Sequence, residues 1–238
     1  MSDLDRVISE LVIANRILAR EGVVDAFGHI SARHPERPDR YLMSRSRAPE
    51  LVTAEDIMEF ELDGMPVDPQ GRTPYAERPI HSGLYEARPD VQSVIHNHSY
   101  DVIPFSVTRV QLRPMIHVAA TMGGSVPVWD IRDKFGDGEM LVVTLDQGRD
   151  LARTVGEGAL ALMRGHGCVV ASQSIRRAVN TAVYTQVNAR LQMDALRLGE
   201  PKYLSPSEIA TMGKRQETPL ASDRAWEYWR RRAGASDL

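Results

Sequence analysis

The sequence predicts an α/β protein folded as one domain, on three observations. Short apolar, β-branched runs alternate with segments of helical spacing, so strands and helices interleave along the chain. Its 238 residues suit one large domain, and no linker rich in glycine, serine or charge divides them. Hydrophobic residues make up 42% and charged residues 26%, the balance of an ordinary globular protein. A net charge of -3 offers no electrostatic footprint for nucleic acid. One cysteine, Cys168, rules out an internal disulfide framework, and its apolar neighbours place it in a buried strand. The N-terminus lacks the apolar core of a signal peptide and no apolar run is long enough for a membrane span, so the expectation is a cytoplasmic protein.

Taken in order, Ser2 or Asp3 caps a first helix whose Leu4, Val7, Ile8, Leu11 and Leu18 follow helical spacing, and Gly22 ends it. Residues 23–33 read as a turn leading into a strand. A short strand at Tyr41–Met43 delivers Ser44, Arg45, Ser46 and Arg47 to its end. Thr53 caps a turn over 54–57, a strand follows at Phe60–Leu62, and Asp63-Gly64 makes a hairpin turn into Met65–Val67. Pro79 suits the first turn of a helix. Val91–Ile95 is a strand introduced by Pro89-Asp90, and Val102–Phe105 continues as a helix or turn. His117 reads as a packed histidine. Strands are expected at Ser125–Trp129, Leu141–Thr144, Ala159–Met163 and Cys168–Ala171, and a helix over Gln147–Glu157. Ser174–Leu198 is a long helix ended by Gly199. Ser205-Pro206-Ser207-Glu208 is a capping box that starts a short helix, and a further helix carries Trp226 and Trp229 on one face.

Chemistry concentrates in two stretches. In the first, Glu77 precedes the Pro79 helix, where the helix dipole favours an ionised carboxylate. The following strand ends in His96-Asn97-His98. Side chains two apart on a strand share a face, so the two imidazoles project together. The second stretch is Arg164-Gly165-His166-Gly167, where the flanking glycines suit a tight turn and let another group approach closely. His-x-His alone is commonly two unremarkable histidines. Only seven histidines are present, however, and three of them fall at strand ends or turns near an acidic residue. Three nitrogens with open positions form the donor set of a catalytic divalent ion. His81 lies down the helix from Glu77 and reads as structural. Arg45 and Arg47, with Ser44 and Ser46, form a candidate carboxylate-binding loop through paired, charge-assisted hydrogen bonds.

Together the run from Glu77 to His98 and the later Arg-Gly-His-Gly resemble the class II aldolase/adducin family, and the likeness extends from the first helix to about Leu198. It implies an α/β/α sandwich around a mainly antiparallel sheet, spanning residues 1–238 as a single domain with 205–238 as a C-terminal helical extension. It further implies a divalent metal on His96, His98 and His166, with Glu77 as the catalytic carboxylate. Zn2+ or Mn2+ is the expected ion, with Fe2+ or Co2+ as substitutes in the same geometry. A homotetramer with active sites at subunit interfaces is expected as well.

Relatives that act on phosphorylated sugars carry a Gly-Asn pair where this chain has Gly28-His29, and a phosphate-binding glycine that is missing after Ser44. Both departures point away from a sugar phosphate and towards a small carboxylate. The stretch from Ser44 to Val52 resembles the family branch that decarboxylates dihydroxyphthalate and hydroxy-methylpyridine-dicarboxylate. The expected activity is therefore decarboxylation of a hydroxylated aromatic or heteroaromatic dicarboxylate, or a related ring-cleavage product, through an enolate, with His29 a second catalytic candidate. The alternatives are an aldolase acting on a small hydroxy or keto acid or a sugar, and a non-catalytic interaction protein of adducin type.

Overall fold

A computed structural model describes residues 1–216 and 218–235. Helix α1 (Asp3–Arg20) begins at a reciprocal cap: the Asp5 amide donates to Ser2 Oγ, and the Ser2 amide donates to the Asp5 carboxylate. It is followed by β1 (His29–Arg33), β2 (Arg40–Ser44) and β3 (Ile57–Glu61). Next come α2 (Pro79–Ala87), β4 (Ser93–Asn97), a short α3 (Ile103–Ser106), β5 (Val128–Trp129) and α4 (Arg132–Phe135). The chain continues through α5 (Leu145–Val155), β6 (Leu160–Met163), β7 (Gly167–Ser172) and α6 (Ile175–Leu198), then α7 (Pro206–Gln216) and α8 (Pro219–Arg232).

The seven strands form one sheet in the order β3-β2-β1-β4-β7-β6-β5, antiparallel except for the β5–β6 pair. Apolar residues occupy both faces, as a sheet covered on two sides requires. Ile30, Leu42, Ile95, Leu160 and Val170 pack on one face with the apolar stripes of α1 and α6. Met43, Phe60, Val94, Ala161 and Val169 pack on the other with α2 and α5. Those two helices cross at backbone contact. A Cβ on Gly148 would stand 2.0 Å from the Pro79 carbonyl oxygen, so only glycine permits the crossing. Trp226 and Trp229 of α8 are buried in the first core, and the Trp229 ring lies 5.6 Å from Tyr184 of α6.

Four sequence expectations need correction. The strand expected over Val91–Ile95 starts at Ser93 and reaches Asn97, because β4 takes its register from pairing with β1 and β7. Only Val128 and Trp129 of the Ser125–Trp129 run pair, at the sheet edge. Leu141–Thr144 forms no strand: its backbone groups serve the functional site and the Thr144 cap of α5. His117 is exposed at the start of a 3-10 turn rather than packed. No helix among the described residues is long and apolar enough to cross a membrane.

Candidate metal centre

Glu77, His96, His98 and His166 converge, with one donor atom from each lying within 4.8 Å of the others. Three chain segments bring them there. Glu77 enters just ahead of α2, where Pro79 occupies the first turn. His96 lies on β4, directly opposite His29 on β1 and Val169 on β7, and His98 follows one residue beyond the strand. His166 sits in the β6–β7 turn, whose Gly165 adopts φ +63°. At Gly167 the added Cβ of any other residue would lie 2.0 Å from the Asn97 carbonyl oxygen and 3.2 Å from His98 Cα. The turn therefore brings His166 to the histidine pair only because its neighbour has no side chain.

The hydrogen bonds at the back of each ring decide what the front presents. His96 Nδ1 donates to the Cys168 carbonyl at 3.2 Å and His166 Nδ1 to the Met140 carbonyl at 3.0 Å. His98 Nδ1 donates to the Asp25 carboxylate at 3.2 Å. Carbonyl and carboxylate oxygens only accept, so each Nδ1 carries the hydrogen and each neutral ring turns a bare Nε2 inward. The Nε2 atoms of His96 and His98 are 3.1 Å apart, and those of His96 and His166 each lie 3.5 Å from Glu77 Oε2. Four lone-pair atoms facing one another repel unless protons or a cation lie between them. Ligand atoms sharing one tetrahedral ion at bonds of about 2.1 Å stand about 3.4 Å apart, close to the separations here. This donor set fits a divalent cation, and each anchored Nδ1 is the outer hydrogen bond that orients a metal-binding imidazole.

Electrostatics agree. Burial pushes the Glu77 carboxyl up, but hydrogen bonding and positive charge at the His166 and His96 rings, the charge that a shared cation would supply, outweigh it and hold the group well below the usual carboxylate range. Burial, reinforced by the neighbouring rings of His96 and His166, lowers the His98 imidazole and favours its neutral form. Glu77 Oε1 accepts from the Val142 amide at 2.9 Å. The segment expected as a strand thus supplies this donor, and Met140 immediately before it supplies the carbonyl behind His166.

The other candidates fall into two groups. His29 is brought to the cluster: it is buried, with its ring centroid 5.2 Å from that of His96 and 4.5 Å from that of Tyr75. The Ser44–Arg47 loop is tied inward instead. Ser44 is fully buried and donates to Tyr75 Oη at 3.4 Å. Arg45 Nε donates to Asp56 at 2.6 Å, and Arg47 Nη1 donates to both Asp56 oxygens at 2.8 and 3.1 Å. The open anion-binding loop expected from the sequence is therefore partly neutralised by its own carboxylate, leaving only the outer guanidinium nitrogens and Ser46 for a ligand. Asp56 itself is pushed up by burial, yet bonds from the Thr53 amide, Arg45 and Arg47 bring it down to about 2.

Sequence reasoning missed Asp25, Asp56 and Tyr75. No spacing rule links Asp25 to a histidine 73 positions away. Asp56 follows Glu50 and Glu55 after the basic loop, and nothing in the sequence sets it apart from them. Tyr75 contacts both His29 and Arg47, and nothing in its local sequence marks it.

Residues 9–193 match the family described as Class II Aldolase and Adducin N-terminal domain. The chain is 34% identical to Decarboxylase tropJ of Talaromyces stipitatus, over 93% of this chain and 92% of that protein. It is 28% identical to the 3,4-dihydroxyphthalate decarboxylase of Arthrobacter keyseri, covering 85% and 84% of the two chains. The fold matches the crystal structure of an aldolase II superfamily protein from Pseudomonas syringae with a TM-score of 0.81 at 24% identity, over 100% of this chain and 96% of that one. With a family match spanning most of its length and a relative of this identity aligned nearly end to end, the chain belongs to the class II aldolase/adducin family.

Proposed function

We propose that the chain is a metal-dependent carbon–carbon lyase that decarboxylates a hydroxylated aromatic or heteroaromatic dicarboxylate, or a related ring-cleavage product. The observation that carries the reading is the set of three inward-facing imidazole nitrogens and one carboxylate, in a chain whose similar relatives include decarboxylases. A divalent ion on His96, His98 and His166 would supply the charge that stabilises an oxygen becoming negative as carbon dioxide leaves. Zn2+ and Mn2+ both suit the donors, and Fe2+ or Co2+ can replace them.

The protein's own groups account for the proton. Glu77 rests as a carboxylate, fixed at Oε1 by the Val142 amide, with Oε2 turned to the histidines. It takes the proton of the substrate hydroxyl on binding. Glu77 returns the same proton to the carbon that bears the departing carboxylate, giving the keto form. Cleavage then releases carbon dioxide, the bonding pair passes to the oxygen as the enolate, and Glu77 is again a carboxylate, so the cycle balances. The outer nitrogens of Arg45 and Arg47, with Ser46, hold the second carboxylate, and buried Ser44 supports them through Tyr75.

The chain on this reading is one domain whose C-terminal helical extension, expected over 205–238, is described over 206–216 and 219–232, with 217 and 236–238 outside the described residues. It assembles as a homotetramer with active sites at subunit interfaces. Exposed Phe27, Tyr100, Val107 and Met140 support the interface. Tyr100 reaches Asp25 at 3.4 Å, and Val107 and Met140 flank the Gly165 turn.

The test is carbon dioxide release from a panel of hydroxylated aromatic dicarboxylic acids, with chelator-treated protein and with each metal restored. Metal-dependent release confirms the reading. Aldehyde formation from a hydroxy or keto acid or a sugar identifies an aldolase instead. Failure of the protein to take up any metal would refute both and favour a non-catalytic adducin-type role.

A further inference from the structure

A fifth histidine, His81, lies behind the site and has no part in the chemistry above. Its ring is fully buried, as are Ser31 and, to within 1% and 2%, Tyr85 and His29. The four side chains form one continuous line. Tyr85 Oη lies 2.8 Å from Ser31 Oγ, Ser31 Oγ 2.6 Å from His81 Nδ1, and His81 Nε2 2.7 Å from His29 Nδ1. Polar groups buried this deeply must pair, so every hydrogen in the line has to find an acceptor.

The direction of the line follows from its far end. Tyr85 is pushed well above the usual phenol range by burial, so its hydroxyl keeps its hydrogen. Among the described residues its one side-chain partner is Ser31 Oγ, which therefore accepts. The Ser31 hydrogen goes to His81 Nδ1. The His81 ring is fully buried and accepts at Nδ1, so the single hydrogen of the neutral ring sits on Nε2. That hydrogen is donated to His29 Nδ1. His29 is just as deeply enclosed and accepts at Nδ1, so the one hydrogen of its neutral ring is left on Nε2.

Set beside the metal cluster, this is a sorting of four neighbouring imidazoles. His96, His98 and His166 have oxygen acceptors behind them and present bare Nε2 atoms. His29, opposite His96 in the β1–β4 pair, has an N–H donor behind it and presents Nε2–H. We propose that the Tyr85–Ser31–His81 line fixes His29 as the site's neutral hydrogen-bond donor, excluding it from the metal ligands and directing its N–H to an anionic oxygen of a chelating hydroxy acid. Ser31, His81 and Tyr85 are positioning residues, acting only through His29. The substrate part of this proposal rests on the decarboxylase reading, whereas the tautomer part does not.

Histidine-selective 15N labelling and long-range proton–nitrogen spectra test it directly, with His29→Asn used to assign the His29 signals. In the unmodified metal-free protein, His29 should show a protonated Nε2 and a bare Nδ1. The opposite pattern overturns the proposal without need of any variant. Ser31→Ala removes the hydrogen that His81 Nδ1 accepts, lets His81 reverse and should move the His29 hydrogen to Nδ1. Ser31→Thr, which restores a hydroxyl, should move it back. A His29 tautomer unaffected by Ser31→Ala refutes the positioning role. Adding 2-hydroxybenzoate to zinc-loaded protein should shift the His29 Nε2–H proton, and an unmoved signal refutes the donor role. Carbon dioxide release by Ser31→Ala should fall about 10- to 100-fold, the usual cost of losing an outer-shell partner, with Ser31→Thr recovering most of it. If no acid is decarboxylated while the His29 tautomer and the 2-hydroxybenzoate shift appear as stated, the decarboxylase reading fails and the sorting stands.

Discussion

Replacing Gly167 by alanine should damage the metal centre without touching a ligand. The added Cβ would lie 2.0 Å from the Asn97 carbonyl oxygen, where real contacts do not fall below about 3.0 Å. One of the two backbones must therefore yield by about 1 Å. Both carry ligands: β4 leads into His98 through Asn97, and β7 follows His166. The interior is close-packed and the Asn97–Cys168 pair is part of the ladder, so the shift cannot dissipate locally. A displacement of this size in an assembled site costs on the order of 100-fold. Zinc affinity, measured by competition with a chromophoric chelator, should fall by that factor. Overpacking should also cost about 1–3 kcal/mol of stability, a Tm loss of about 2–4 °C per kcal/mol for a chain of this size. Gly138→Ala is the control, because its Cβ meets nothing within 4 Å. Parent-like zinc affinity in a folded Gly167→Ala protein would refute the argument that close strand approach builds the site.

Three further outcomes follow from the geometry. Asp25→Asn replaces the charged acceptor behind His98 and should weaken metal binding about 10- to 100-fold, with a small change in Tm. Metal affinity should fall as pH drops, because protons compete for the same nitrogens. Since burial lowers the His98 imidazole, its share of the loss should fall below the ordinary histidine value of about 6.5, as chelator competition from pH 8 to pH 5 would show. Asp56→Ala strands two guanidiniums that are about a third exposed, so solvent screening reduces the usual buried-pair loss to about 1–3 kcal/mol by denaturant titration. In the parent, the depressed Asp56 contributes stability that is full above its unfolded value of 3.8 and is lost as pH falls to about 2, a window that acid titration of Asp56→Ala should lack.

Local rules made much of the architecture legible. Ser2, Ser174 and the Ser205–Glu208 box could be read as helix starts because a cap is satisfied within three residues. His96 and His98 could be paired because strand geometry repeats every two residues. The same rules misread Leu141–Thr144, whose apolar composition fits a strand. Its backbone partners are Glu77 and the Thr144–Gln147 cap, and among the described residues no strand pairs with it.

The sequence by itself determined most of the helices and strands, the identity of the four converging groups and the family to which the pattern belongs, since each rests on short-range spacing or on residue types present in the chain. Tertiary structure alone decided which nitrogen of each imidazole carries hydrogen, that Asp25 stands behind His98, and that Asp56 occupies the arginine loop. Those outcomes depend on hydrogen-bond partners 9 to 73 positions away, and a hydrogen bond is set by distances and angles in space that sequence separation does not encode.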